Sequence, residues 1–158
     1  MINYGKEFEL RIKKDVLKSV ENCSIDRIYD TVSGYYGVNN VCDFIMYCYP
    51  NIYYLEAKTH KGASLPIRNI TQYSKLKEKV DIPGVRAGIL LWLYEKDIGV
   101  IYIPISTITK LKENGEKSFG IRHLDKKEEY PYLPLPSKKK KVFYEVDYSL
   151  LKTLEEGM

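Results

Sequence analysis

The residues best equipped for chemistry are two carboxylates and an amine on consecutive apolar runs. Asp43 lies in the run from Val41 to Cys48, Glu56-Ala57-Lys58 closes the next, and Tyr49-Pro50-Asn51 supplies a turn between them. Side chains alternate faces along a strand, so Glu56 and Lys58 point the same way and Ala57 the other. Folding about Tyr49 and Pro50 pairs Tyr47 with Ile52, Ile45 with Tyr54 and Asp43 with Glu56. Opposed Cβ atoms then lie about 4.5–5.5 Å apart, and like charges so placed are destabilising. At roughly 4 Å and an effective dielectric near 20 the bare repulsion is about 4 kcal/mol. Lys58 neutralises one charge. The rest suits a divalent cation held by oxygen, and Mg²⁺ takes one or two carboxylates plus water and phosphate. The competing reading is a surface hairpin with an ordinary Glu–Lys pair, or a register that separates the acids; the apolar residues on both faces favour a buried strand.

Several elements must position these groups. Tyr4 to Val20 sets Phe8, Ile12 and Val16, with Leu17 and Val20, at helical spacing against Lys6, Arg11, Lys13, Lys14 and Lys18. Glu9 on that helix is either a site acid or an exposed partner for Lys13 at i+4. Cys23 to Val32 reads as a first strand, followed by a glycine- and asparagine-rich loop, 33–40, whose Tyr35 and Tyr36 either touch a ligand or pack on the domain. After Lys58, Thr59 to Pro66 is a polar loop, and Asn69 is an N-cap candidate for a helix to Val80, with Gln72 completing a capping-box-like pair. Val85 to Tyr94 is apolar on both faces and reads as a central strand, with Gly99 to Pro104 beside it. Ser106 is placed to cap a short helix through Lys112, before an Asn114-Gly115 turn. Beyond it come a proline-punctuated extended stretch, Tyr130 to Ser137, the basic run Lys138, Lys139, Lys140 and Lys141, a strand-like Val142 to Val146, and a final short helix that Ser149 would cap. The basic run either neutralises phosphates or is a solvated linker.

At 158 residues the chain has the length of one domain, and 44% hydrophobic with 29% charged residues is ordinary for a folded soluble protein. No apolar run approaches the roughly 20 residues of a membrane helix, and the opening residues lack an apolar signal core, which points to the cytoplasm. Three cysteines with no C-x-x-C spacing, and two distant histidines, argue against structural zinc and for reduced thiols. A net charge of +4 is compatible with a polyanionic partner without demanding one.

The pattern Asp43, spacer, Glu56-Ala57-Lys58 resembles the signature of the PD-(D/E)xK nuclease superfamily, with Cys42 where a proline usually precedes the Asp. Glu56-Ala57-Lys58-Thr59 followed by Ser64-Leu65-Pro66-Ile67-Arg68-Asn69-Ile70 resembles a run of RecU-type Holliday junction resolvases, as does Gly5-x-x-Phe8-Glu9 near the start; the likeness spans Gly5 to Leu111. The family's glutamine after the Asn falls by counting on Ser74, two positions past Gln72, and the segment before Asp43 is short for the bacterial enzymes' stalk, as in a phage-type member. The resemblance implies an α/β fold of restriction-endonuclease-like form, a mixed central sheet flanked by helices. It further implies a single nuclease domain over 1–158 (core 5–112, basic extension 113–158) and cleavage of four-way DNA junctions by a homodimer in a bacterial or phage-infected cell. In that reading Asp43, Glu56 and the Ala57 carbonyl hold Mg²⁺ or Mn²⁺, and Lys58, Glu9 and Gln72 complete the catalytic set. Lys61, Arg68 and Lys138 to Lys141 contact DNA. The alternatives are a nuclease of the same core acting on flaps, ends or a duplex site, and a non-catalytic DNA-binding module.

Overall fold

A computed structural model describes residues 1–29 and 40–158. The expected loop at 33–40, apart from Asn40, and the far end of the expected first strand lie outside those residues. Helix α1 (Tyr4–Ser19) starts where Asn3 accepts a hydrogen bond from the Lys6 N–H at 3.1 Å. Its inner face carries Phe8, Ile12 and Val16, as the spacing predicts, but Leu17 is exposed and Asp15 is buried. The Asp15 carboxylate accepts the Val146 N–H at 3.1 Å, a partner no helical pattern reveals.

Strands β1 (Ser24–Arg27), β2 (Phe44–Cys48) and β3 (Asn51–His60) form an antiparallel meander. The regular pairing of β1 with β2 ends at Arg27 and Phe44, with one further bond from the Ile28 N–H to the Asp43 carbonyl. The β2–β3 hairpin pairs Tyr47 with Ile52 and Ile45 with Tyr54, the register expected. A short β4 (Ser64–Pro66) and a 3₁₀ turn over Ile67–Asn69 follow. Pro66, with φ −63°, leads into that turn, so Asn69 ends it and caps no helix. Helix α2 (Tyr73–Lys79) begins after Gln72, whose side chain makes no capping bond.

Strand β5 (Val85–Leu93) is buried along its whole length and runs parallel to β3, and β6 (Val100–Pro104) returns antiparallel. Helix α3 (Ile105–Glu113) starts directly after Pro104, one residue before Ser106, which therefore is not its cap. The C-terminal stretch adds β7 (Ser118–Gly120) beside β4, β8 (Leu133–Leu135) at the edge of the main sheet, and a β9 (Ser137–Lys139) and β10 (Tyr144–Val146) hairpin. It ends in a 3₁₀ turn, Ser149–Thr153, where the Asp147 carboxylate accepts the Ser149 N–H at 2.8 Å; Asp147 takes the capping part expected of Ser149.

The main sheet has six strands in the order β1-β2-β3-β5-β6-β8. Its two faces build two cores. On one, α1 packs Phe8, Ile12 and Val16 on Phe44, Met46, Leu55, Ala57 and Trp92. On the other, Leu76 of α2 and Ile105, Ile108 and Leu111 of α3 cover Ala87, Ile89, Leu91, Ile101 and Ile103. Each such aliphatic side chain contributes about 1.5–3 kcal/mol on burial, so the sheet that carries the acids is rigid on both sides.

Candidate active site

The ladder between β2 and β3 ends at Phe44 and Leu55; at the bend before it the Asp43 N–H donates to the Leu55 carbonyl at 3.1 Å, and the Asp43 carboxylate lies against that of Glu56. On its other edge the Asp43 carbonyl accepts the Ile28 N–H at 2.7 Å, which ties the residue to β1 as well. Its side chain turns inward, with Oδ2 accepting the Ala57 N–H at 2.8 Å. Lys58 Nζ lies 3.6 Å from Glu56 Oε1, on the same face of β3. That face also presents Tyr54 towards α2, where the Lys79 ammonium sits 5.4 Å from the ring centre.

Glu56 is only 5% exposed. Burial first, and the Asp43 carboxylate second, push its carboxyl up to about 8, with Lys58 pulling the other way. As a carboxylate it leaves Oε2 buried with no hydrogen-bond donor. The surplus of negative charge extends to Cys42, whose buried thiol is pushed up to about 12 by desolvation and then by Glu56. That thiol donates to the Phe44 carbonyl at 3.1 Å and stays protonated, so Cys42 is neither ligand nor nucleophile.

Glu9 reaches the same end of the sheet from the α1 side. Its carboxylate lies 2.6 Å from the Arg27 guanidinium. Burial and then the Asp43 charge raise its pKa, while Arg27 and, more weakly, Lys58 lower it, so Glu9 shares a field with the pair. Arg27 was not among the residues singled out in the sequence, yet a signal was there. Alternation puts Arg27 on the helix-facing side with buried Ile25, and a cation on a core-facing position requires an acid nearby.

A divalent cation fits what is present: two opposed carboxylates, one buried oxygen without a donor, and a strand end with the Ala57 carbonyl between Glu56 and Lys58. Among the described residues no three His, Cys, Asp or Glu side chains gather as a metal cage. The donor set is therefore of the sparse kind that leaves room for water and phosphate around a hard cation.

The remaining candidates sit elsewhere. Lys61 lines a cleft of about 580 Å³ beyond the end of β3 with Tyr4, Thr59, His60 and Tyr94. Arg68 lines another, beside α2 and α3. Gln72 stands at the start of α2, partly exposed. In the basic run Lys139 pairs with Asp97 at 2.8 Å and Lys140 approaches Glu145 at 3.8 Å, Lys138 stands across β9–β10 from Glu145, and Lys141 is exposed.

Among solved structures the chain is similar to a Holliday junction resolvase, Hjc, of the archaeal hyperthermophile Archaeoglobus fulgidus, at 20% identity and a TM-score of 0.50 over 74% of this chain and 87% of that one. The chain has the restriction-endonuclease-like fold. No protein-family model and no curated protein matches it in sequence. Within that restriction-endonuclease-like fold the acidic pair occupies the open end of the β2–β3 hairpin, and no helix among the described residues is long and apolar enough to cross a membrane.

Proposed function

We propose that this protein is a metal-dependent, structure-specific endodeoxyribonuclease that resolves four-way DNA junctions by phosphodiester hydrolysis, a resolvase of RecU type working as a homodimer. The observation that carries the reading is the Asp43 carboxylate lying against that of Glu56, with Lys58 Nζ 3.6 Å from Glu56. A module that only bound DNA would gain nothing from adjacent acids that repel phosphate.

Asp43, Glu56 and the Ala57 carbonyl would hold Mg²⁺, for which Mn²⁺ substitutes; when bound, such an ion makes water a stronger acid and stabilises charge on the phosphate. Lys58 offsets one carboxylate at rest and turns its ammonium on the charge that builds at the scissile phosphate. The Ala57 N–H holds one oxygen of Asp43 and fixes the orientation of its carboxylate. Glu9, held by Arg27, borders Asp43 and orients or deprotonates water near the phosphate. Gln72 joins the set through the resemblance alone.

The test is incubation of the purified protein with a labelled four-way junction and a matching linear duplex, with and without Mg²⁺. Junction cleavage that needs Mg²⁺ is the expected result. Asp43→Asn, Glu56→Gln and Lys58→Ala should each lower it at least about a hundredfold, the scale of losing one electrostatic stabiliser, while leaving junction binding within a few-fold. Full cleavage by any of the three refutes the site, and cleavage of the duplex alone redirects the substrate to a restriction-type site.

A further inference from the structure

The most conspicuous cations in the sequence, Lys138 to Lys141, are partly spent on Asp97 and Glu145. A different set is not. Arg68, from the turn after β4, Lys112, from the end of α3, and Lys117, from the approach to β7, line one cleft of about 560 Å³ with Thr71, Tyr73 and Ser74. All three cations are exposed, and among the described residues none of them forms an ion pair. The one acid in the lining, Glu116, is bound 2.5 Å from Arg122 and brings little free charge to the cleft.

The cleft is fixed by backbone and side-chain bonds. The Ile67 N–H donates to the Lys117 carbonyl at 2.9 Å, and Pro66 pairs with Ser118, so Arg68 and Lys117 leave adjacent positions of one small ribbon. Tyr73 is anchored by its hydroxyl to Thr109 Oγ1 at 2.7 Å, and its ring carries the Lys112 ammonium 4.2 Å from the centre. Three cations without ion pairs that line one cleft with Thr71 and Ser74, its single acid already bound to Arg122, form a surface for a ligand with several anionic groups and not for a single ion.

Its place in the fold says which ligand. Glu56 and Lys58 point to the face of the sheet covered by α2 and α3, and the cleft lies in that same layer, beside the β4 that begins where β3 leaves off. We propose that this cleft is a second phosphate-binding surface that grips the sugar–phosphate backbone of a duplex DNA arm extending from the acidic pair. The inference rests on the nuclease reading and adds to it the track that the arm follows.

The experiment compares the triple variant Arg68→Ser/Lys112→Ser/Lys117→Ser with a triple of equal charge change on the outer face of α1, Lys6→Ser/Lys13→Ser/Lys14→Ser, both in a Glu56→Gln background in EDTA. Fluorescence anisotropy of a labelled four-way junction is followed from 50 to 200 mM NaCl. Each lost phosphate contact lowers the slope of log K against log salt by about 1. The cleft triple should lower it by about 2–3 and weaken binding at least about tenfold at 100 mM, with the α1 triple well under half of that. Equal effects from both triples would reduce the cleft to net charge and overturn the proposal. An unchanged slope in the cleft triple, with Mg²⁺-dependent cleavage by the wild-type protein intact, would overturn the cleft and leave the nuclease reading standing. A wild-type protein that binds no DNA would overturn both. Melting curves of the triples, whose residues are all exposed, should coincide with the parent's.

Discussion

The guanidinium of Arg27 lies 2.6 Å from the carboxylate of Glu9, joining the edge strand β1 to helix α1 beside the Asp43–Glu56 pair. Both side chains are mostly covered, so the pair is worth more than a surface contact, and losing one partner leaves the other poorly solvated.

Arg27→Ala should therefore lower stability by about 1–2 kcal/mol and slow cleavage more than it weakens junction binding. Arg27 lowers the pKa of Glu9 against burial and Asp43. Its removal raises that pKa further, and the acid limb of the pH–rate profile should move to higher pH than in the wild type. A profile that keeps its acid limb would mean that Glu9 takes no part in the reaction.

Glu56→Gln should make the metal-free protein more stable while abolishing cleavage. The ordinary carboxyl value is 4.5 and the folded one about 8, so ionisation of Glu56 opposes folding. Below about pH 4 both states carry the proton and the variant gains nothing; the gain grows between 4.5 and 8 and is constant above. Melting curves in EDTA should show no difference near pH 4 and at least about 3 °C in favour of the variant at pH 8.5, the shift that about 1 kcal/mol gives at this size. A variant less stable than wild type at pH 8.5 would mean that the acidic pair is not strained.

Gly88→Ala tests the sheet that carries the site. A Cβ there would meet the Ile103 carbonyl at 2.5 Å and the Tyr102 ring at 2.6 Å, between β5 and β6. Overpacking against backbone costs about 1–3 kcal/mol or more. Gly62→Ala, where a Cβ would meet nothing within 4 Å but φ is +93°, should lose only about 1 kcal/mol of backbone strain. Chemical denaturation of the two variants gives both numbers.

Serine at Lys138, Lys139, Lys140 and Lys141 should lower the salt slope of junction binding by no more than about 2, where four free lysines would give roughly 4. Lys139 and Lys140 already face acids. A full loss of about 4 would show that both leave those partners for phosphate.

The β2–β3 register was legible because alternation and a single turn determine a hairpin's pairing; the bend at Asp43, which brings its carboxylate to Glu56 and the Ala57 N–H, was not. Buried β5 was legible because a strand covered on both faces is apolar throughout. What misled were residues whose local preference yields to a partner far along the chain. Leu17 looked buried and is exposed, while Asp15, which the helical pattern did not single out, is buried and bound to Val146; Asn69 looked like a cap and ends a turn set by Pro66. Arg27 and two of the cleft cations, Lys112 and Lys117, escaped for the same reason, since only the folded chain brings Glu9 to one and Lys117 beside Arg68.

The bond from the Val146 N–H to Asp15, and that from the Tyr148 N–H to Ser19 Oγ at 3.0 Å, fasten the second half of α1 to the segment around β10. The helix bearing Glu9 is thereby clamped twice, by its apolar face on the sheet and by its polar groups on a backbone far along the chain, and a polypeptide cut before Val146 would keep only the first of these.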